Sequence, residues 1–359
     1  MNILFNNATT SWAGIKTWMI ELADFLQSKG HRPLIVCREK DLLIEKCRER
    51  NLDCHPIQYG ADYSPFALRR FFRIFRDHGT ELVITNISKG IRTAGLAARL
   101  QKIPHINRVG NYGDLKATAK VKWEYTKLID KVIVPSQALY DHFAGKEFLR
   151  DKLRMFHNAV NAPPFVEKNN TVPKFAVVAN LSDRKQVDKI IEAFAQLIDH
   201  SWEFHVGGFG PELESLKAQV HRLGLEDRIH FCGRVDPVTF LRDKDIGLLY
   251  SSQEAFGWSI IEYMASSCAV IASHIGGIPE IVTDKNQGIL VNPQQLESLI
   301  KALRTCLTDR SRVEQLARGG YQRVQEAFNQ ETIFSAIEKE FQLTIDQNRV
   351  EEREVANSP

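Results

Sequence analysis

Two runs of alternating strand and helix, separated by a proline-bearing polar break, predict an α/β protein built from two doubly wound parallel sheets. Three observations carry this. In the first half, short apolar runs at 3–5, 34–37, 82–85 and 132–134 have the look of strands, and helical periodicity fills 18–26, 66–75, 91–100 and 123–128 between them. The stretch 158–170 holds the adjacent Pro163 and Pro164 and then several polar residues, the composition of an interdomain connection. The alternation then restarts, with strands predicted at 175–179, 204–206, 229–231, 246–250, 270–272 and 289–291 and helices around 189–197, 213–223 and 259–265.

A chain of 359 residues is too long for one ordinary core and suits two. The divisions are expected at 1–165 and 166–335, followed by a C-terminal helix and polar tail over 336–359 that returns to the first domain. Helix is expected beyond Gln294 to about Glu340, with the last ten or more residues fraying. Two such domains would place the carboxyl ends of their strands across a crevice, where this kind of sheet binds ligands.

Bulk properties exclude several classes. The segment Met1-Asn2-Ile3-Leu4-Phe5 runs straight into Asn6 and Asn7 and reads as a first strand, so secretion is not indicated. No run approaches the 18 apolar residues of a membrane span. Six cysteines at 37, 47, 54, 232, 268 and 306 lack zinc spacing and disulfide-scaffold density, which suits reduced thiols in the cytoplasm. A net charge of +3 does not point to nucleic acid. Between Ala61 and Asp130, however, thirteen Lys or Arg stand against six Asp or Glu, and 66–76 mixes Phe and Arg at helical spacing. That pattern fits peripheral contact with an anionic membrane, or equally a helix that buries its apolar face and solvates its arginines. Oligomeric state is not legible.

The most informative segment is Glu254-Ala255-Phe256-Gly257-Trp258-Ser259-Ile260-Ile261-Glu262, between a predicted strand and a helix. Eight helical positions turn about 800°, some 80° from whole turns, so both carboxylates could address one ligand. A surface helix with two incidental acids is the plainer alternative. After the next strand comes Ser273-His274-Ile275-Gly276-Gly277-Ile278-Pro279-Glu280. Paired glycines there let backbone amides approach an oxyanion at a helix start.

Glu254 through Glu280, with Met264-Ala265 and the Gly-Gly-Ile-Pro-Glu run, resembles the retaining GT-B enzymes of glycosyltransferase family 4, the glycosyl transferases of group 1. The resemblance extends over nearly the whole chain. It implies two Rossmann-like domains facing across a cleft, the first on the acceptor side and the second holding the nucleotide sugar. It also implies that Glu254 contacts the transferred sugar, Glu262 the ribose hydroxyls, and Gly276 and Gly277 the donor. Thr10-Ser11-Trp12-Ala13-Gly14 looks like the family's glycine-bearing loop, with Ala13 where another glycine is common, so Gly14 alone gives close backbone approach. Asn158-Ala159-Val160-Asn161 resembles a hinge entrance and is given a structural role.

Departures from the family pattern are specific. Asn180-Leu181-Ser182-Asp183-Arg184-Lys185 aligns with a segment that normally opens on arginine and closes on lysine. Lys185 is kept, while Asn180 brings no charge, which weakens a diphosphate clamp unless Arg184 supplies the guanidinium. Where many members carry a histidine facing the sugar, this chain has Gly110. His105, five residues earlier, is taken as a packed strand residue, and Asn107, Arg108 and Asn111 are candidate substitutes. Gly207-Gly208-Phe209-Gly210 either lines the nucleotide pocket, with Gly208 as its candidate binding residue, or is a simple strand-to-helix turn. Asp243-Lys244-Asp245 is assigned capping and surface roles rather than metal binding, and His142, His157, His221 and His230 show neither zinc spacing nor a triad.

The implied reaction moves a hexosyl or related group from a UDP- or GDP-sugar to the hydroxyl of a carbohydrate or lipid-linked acceptor, with retention, no cofactor and no catalytic metal. Glu254 and Lys185 are its catalytic candidates, and polysaccharide, lipopolysaccharide or glycolipid synthesis its setting. Two alternatives stay open: a sugar-phosphate isomerase or epimerase of the same architecture, and a silent nucleotide-sugar-binding or scaffold protein.

Overall fold

The computed structural model describes residues 1–10, 14–116 and 118–356, and the chain divides into two compact units. One comprises Met1–His157 with the C-terminal segment from Glu331, and the other Asn158–Gln330. The connection therefore joins the second unit earlier than the proline pair suggested. Val160 pairs with Asn329 in an isolated bridge, its amide donates to the Phe328 carbonyl at 3.0 Å, and Tyr321 Oη donates to the Pro163 carbonyl at 2.9 Å.

The first unit holds seven parallel strands: β1 (Asn2–Asn7), β2 (Arg32–Arg38), β3 (Asp53–Ile57), β4 (Leu82–Thr85), β5 (His105–Arg108), β6 (Lys131–Val134) and β7 (Leu153–Met155). Their order is β3-β2-β1-β4-β5-β6-β7. Central strands are covered on both faces and so read as continuous apolar runs, which is why β1, β4 and β6 stand out in the sequence. The edge strands β3 and β7 carry polar residues and escape that signal; β3 even contains Pro56, which an edge tolerates.

In the helix Pro65–His78, Ala67, Phe71, Ile74 and Phe75 are buried against a cluster containing Leu4, Val36 and Val83. Arg69, Arg70, Arg73 and Arg76 stay exposed, as does Phe66 at 86%. The helix Gln330–Ala356 runs well past Glu340, where the helix was expected to end, and into the last ten residues, where fraying was expected, and it packs on this unit. Phe334 is buried and meets Phe25 edge-on at 5.6 Å, Glu340 pairs with Lys131 at 2.7 Å and Arg154 at 3.1 Å, and Arg349 reaches Glu81 at 2.5 Å.

The second unit holds six parallel strands, each at a predicted position: β8 (Lys174–Val178), β9 (Glu203–Gly207), β10 (Ile229–Gly233), β11 (Ile246–Leu249), β12 (Ala269–Ser273) and β13 (Ile289–Val291). Their order is β10-β9-β8-β11-β12-β13. The chain thus builds outward from β8 in one direction and restarts at β11 in the other, putting a topological switch point between β8 and β11. Phe194 anchors the core, with ring centroids 5.1 Å from Phe175, 4.5 Å from Trp202 and 5.1 Å from Phe204.

The six cysteines are free thiols. Among the described residues, no helix is long and apolar enough to cross a membrane.

Candidate functional site

Loops leaving the carboxyl ends of β9, β8, β11 and β12 interlock into one rim. The amide of Leu181 donates to the Phe209 carbonyl at 3.0 Å, that of Ser252 to the Arg184 carbonyl at 2.9 Å, and that of Ser251 to Ser273 Oγ at 2.9 Å. At the switch point, Lys185 from the loop after β8 donates to Glu254 from the loop after β11, Nζ to Oε1 at 2.5 Å. Their side chains are 13% and 8% exposed, so the pair is shielded but reachable from the rim. Shielding strengthens such a contact and makes the loss of either partner costly.

Lys185 ends a single 3-10 turn, Asp183–Lys185, rather than lying on an α-helix, and is followed by Gln186 at φ +43°. A non-glycine residue in the left-handed region costs energy and is held only by its surroundings. Arg184 lies over the same loop as Glu254, with its guanidinium 3.4 Å from the Gln253 carbonyl. Asn180 is exposed at the head of the segment.

The helix bearing Glu262 begins only at Trp258, and Gly257 before it sits at φ +99°. The 100°-per-residue count expected to relate Glu254 to Glu262 therefore does not apply across that interval. Glu262 instead accepts from the indole of Trp258 one turn earlier, Nε1 to Oε1 at 3.0 Å. The two carboxylates occupy different local frames, loop and helix.

Gly276 is exposed at φ +51°, and Gly277 precedes the short helix Ile278–Ile281. Neither of their amides donates to a group among the described residues. Gly208 differs. Its φ is +136° and an added Cβ would stand 1.8 Å from the Ala179 carbonyl oxygen, while its amide donates to Gly233 at 2.6 Å. Packing alone demands this glycine.

Two residues of the rim have no motif to announce them. Ser251 Oγ and Gln186 Oε1 are buried without a hydrogen-bond partner among the described residues, an expensive condition that marks a polar site. A partner signal existed only in position: Ser251 follows β11 and Gln186 follows Lys185.

In the first unit, the switch point falls between β1 and β4. Gly14 opens the helix Gly14–Ser28 and is exposed; Ser11, Trp12 and Ala13 of its loop lie outside the described residues. Asn6 Nδ2 and Asn86 Oδ1, at the ends of those two strands, are again buried without a hydrogen-bond partner among the described residues. His105 is a core residue: its ring contacts the Leu128 carbonyl at 2.5 Å and Thr85 Oγ1 at 2.7 Å and fills the space a Cβ on Gly95 would take. Asn107 is equally committed, donating to Thr85 Oγ1 at 2.9 Å and accepting from Tyr125 Oη at 2.8 Å. Arg108 is buried with its guanidinium 4.4 Å from the Trp18 ring, and that burial lowers its pKa to about 9 against the opposing field of Asp114. The amides of Gly110 and Asn111 both donate to Asp114 Oδ2, at 3.0 and 2.9 Å.

Asp245 corrects the surface role expected of its segment. It is buried, and its carboxylate accepts from the Lys174 amide and Asn170 Nδ2, each at 2.8 Å, and from Arg310 at 3.2 Å.

Against known proteins, residues 12–162 match the family Glycosyltransferase Family 4 and residues 161–323 match Glycosyl transferases group 1. The chain belongs to this glycosyltransferase family. It is 29% identical over 163 residues to N-acetyl-alpha-D-glucosaminyl L-malate synthase of Bacillus anthracis, spanning 45% of this chain and 43% of that protein. Across three such curated relatives the chain spans 30 to 59% of their length. In fold it is similar to a glycosyltransferase of Rickettsia africae, at TM-score 0.83 and 19% identity, covering 96% of this chain and 98% of the other. It is also similar to Anabaena HepE in complex with UDP and glucose, at TM-score 0.82 and 18% identity, covering 95% and 99%. The family member is thus a GT-B fold of two Rossmann-like units.

Proposed function

We propose that this family member is a retaining, metal-independent glycosyltransferase that moves a hexosyl group from a nucleoside diphosphate sugar to an acceptor hydroxyl. The observation that carries the reading is the Lys185–Glu254 pair at the β8/β11 switch point, where a doubly wound sheet offers its ligand site. The donor's nucleoside diphosphate departs as the acceptor hydroxyl takes its place on the same face of the sugar, so the protein's task is to stabilise negative charge and orient the acceptor on that side. Lys185 meets the diphosphate, Arg184 assists from the same turn in place of the charge Asn180 lacks, and the free amides of Gly276 and Gly277 add oriented donors. Glu254 orients the transferred sugar and Glu262 holds the ribose hydroxyls. Gly208 and Gly14 allow close backbone approach in their respective units.

The donor base is uracil or guanine, and the UDP in the Anabaena structure supports the former. The acceptor is a carbohydrate or lipid-linked chain in cell-envelope polysaccharide, lipopolysaccharide or glycolipid synthesis. The exposed arginines of Pro65–His78 with Phe66 support peripheral contact with an anionic membrane from the cytoplasmic side. Incubation with a panel of UDP- and GDP-sugars and acceptors tests the reading through product anomeric configuration and insensitivity to chelator. Donor binding without turnover across the panel would make the protein a silent nucleotide-sugar binder.

A further inference from the structure

We propose that Glu203, His205 and His230 form a binding site for a divalent transition-metal ion, zinc by its donor chemistry, on the sheet of the second unit. β9 and β10 are adjacent parallel strands whose register sets His205 directly beside His230. Residues two apart on a strand share a face, which brings Glu203 to the same side as His205. The intervening Phe204 and the following Val206 point the other way, into the core around Phe194. Sheet pairing, rather than loop conformation, therefore fixes where the three side chains start.

Their geometry is close to that of a coordination site. The imidazole centroids are 5.0 Å apart, His205 Nε2 lies 3.1 Å from Glu203 Oε2, and one ligating atom from each of the three residues falls within 4.8 Å of the others. Donors around a tetrahedral zinc bonded at about 2.0–2.2 Å stand roughly 3.4 Å apart. Glu203 and His205 already meet that spacing, and His230 reaches it by side-chain rotation on an edge strand.

Two imidazoles and one carboxylate make a borderline donor set that favours zinc over calcium or magnesium, with a fourth position open to water. All three residues are half-buried, so an ion can enter from solvent. Lys244, the nearby cation whose field reaches His205, is itself paired with Asp243. The site lies before the carboxyl end of β9, whereas Lys185 and Glu254 lie on loops beyond the ends of β8 and β11. A metal here ties β9 to the edge strand β10 and takes no part in glycosyl transfer.

The test uses the untagged full chain, stripped with chelator and titrated with zinc alone by calorimetry and with cobalt alone by visible absorption. One ion per chain and tetrahedral cobalt bands are expected. His205→Ala, His230→Gln and Glu203→Gln should each weaken binding by at least about 10-fold, the scale on which perturbing a metal's surroundings is felt. At a zinc concentration near the parent's Kd, zinc should also raise the Tm of the parent chain by more than that of His230→Gln or Glu203→Gln, with the fold of each variant checked by circular dichroism. Absence of saturable binding by the parent, or binding untouched by all three substitutions, overturns the site.

Discussion

Lys185 and Glu254 lie 69 residues apart in sequence and meet at 2.5 Å across the two strands where the second sheet reverses direction. Each is the other's main electrostatic complement in a shielded position. Replacing Lys185 with Ala should therefore do two things: remove the proposed phosphate contact and leave the Glu254 carboxylate without this partner. Donor binding is expected to fall by about 2–4 kcal/mol if the phosphate site is enclosed, with a smaller loss of folding stability. A double-mutant cycle with Glu254→Gln, read by denaturant unfolding without ligand, should show coupling of about 0.5–3 kcal/mol. Additive effects would mean that the pair is not coupled in solution.

Glu254→Gln should lower turnover by about 100-fold while leaving nucleotide affinity nearly unchanged, because its proposed contact is with the sugar. Glu262→Gln should do the reverse. The indole of Trp258 already orients Glu262, and losing the charge should weaken donor binding by about 10-fold, or 1.4 kcal/mol. Calorimetry paired with steady-state kinetics separates the two, and exchanged effects would swap the assignments.

Arg184 and Lys185 are neighbours on a 3-10 turn, where successive side chains diverge by about 120°. Arg184 nonetheless lies over the Gln253 carbonyl, on the Glu254 side of the turn. Arg184→Ala is expected to reduce affinity for nucleoside diphosphate but not for the monophosphate. Loss of neither would leave Arg184 as surface charge.

The second sheet was readable because β8, β11 and β12 bury apolar side chains and leave nearly uninterrupted apolar runs, while β9 sends Phe204 and Val206 into the core between polar neighbours. The same logic hid β3 and β7, whose edge positions accept polar residues. Glu254, Glu262 and Lys185 became candidates through the resemblance of their segments to a family pattern, yet their partners were not legible: nothing local links Lys185 to Glu254, or marks Ser251 and Gln186. Those relations arise from strand order, which periodicity does not report. His105 was legible as a packed residue from its place at a strand start, while the burial of Asp245 was not, since its partners Lys174, Asn170 and Arg310 come from three separate segments.

Gly208 separates packing from function. With φ at +136° and the Ala179 oxygen 1.8 Å from a would-be Cβ, Gly208→Ala should destabilise the chain by about 1–3 kcal/mol or more, and Tm should fall even without donor. Gly276→Ala, at an exposed position, should cost less stability and more donor affinity. A variant at 208 with unchanged Tm would show that the loop can retreat from Ala179.

His105 gives a prediction for pH. Burial pushes its imidazole below the ordinary value near 6.5, against the opposing pull of the Leu128 carbonyl, so the folded chain keeps the ring neutral where the unfolded chain protonates it. Below about pH 6.5 the unfolded state then binds more protons than the native state, and linkage requires stability to fall as pH falls. The stabilising contribution is fully present above the unfolded pKa and is lost on the way down to the folded one. His105→Gln removes that dependence while keeping polar atoms near Thr85 and Leu128. Relative to this variant, the parent chain should lose up to about 1.4 kcal/mol per pH unit below pH 6.5 and hold a constant difference above about pH 7.5. Urea midpoints measured for both chains at about pH 8, 6 and 5 supply the comparison, with carboxylate titrations common to both chains cancelling in the difference. A difference that stays flat across the range would mean that the native chain protonates His105 as readily as the unfolded one, and that its ring is not sealed between β4 and β6.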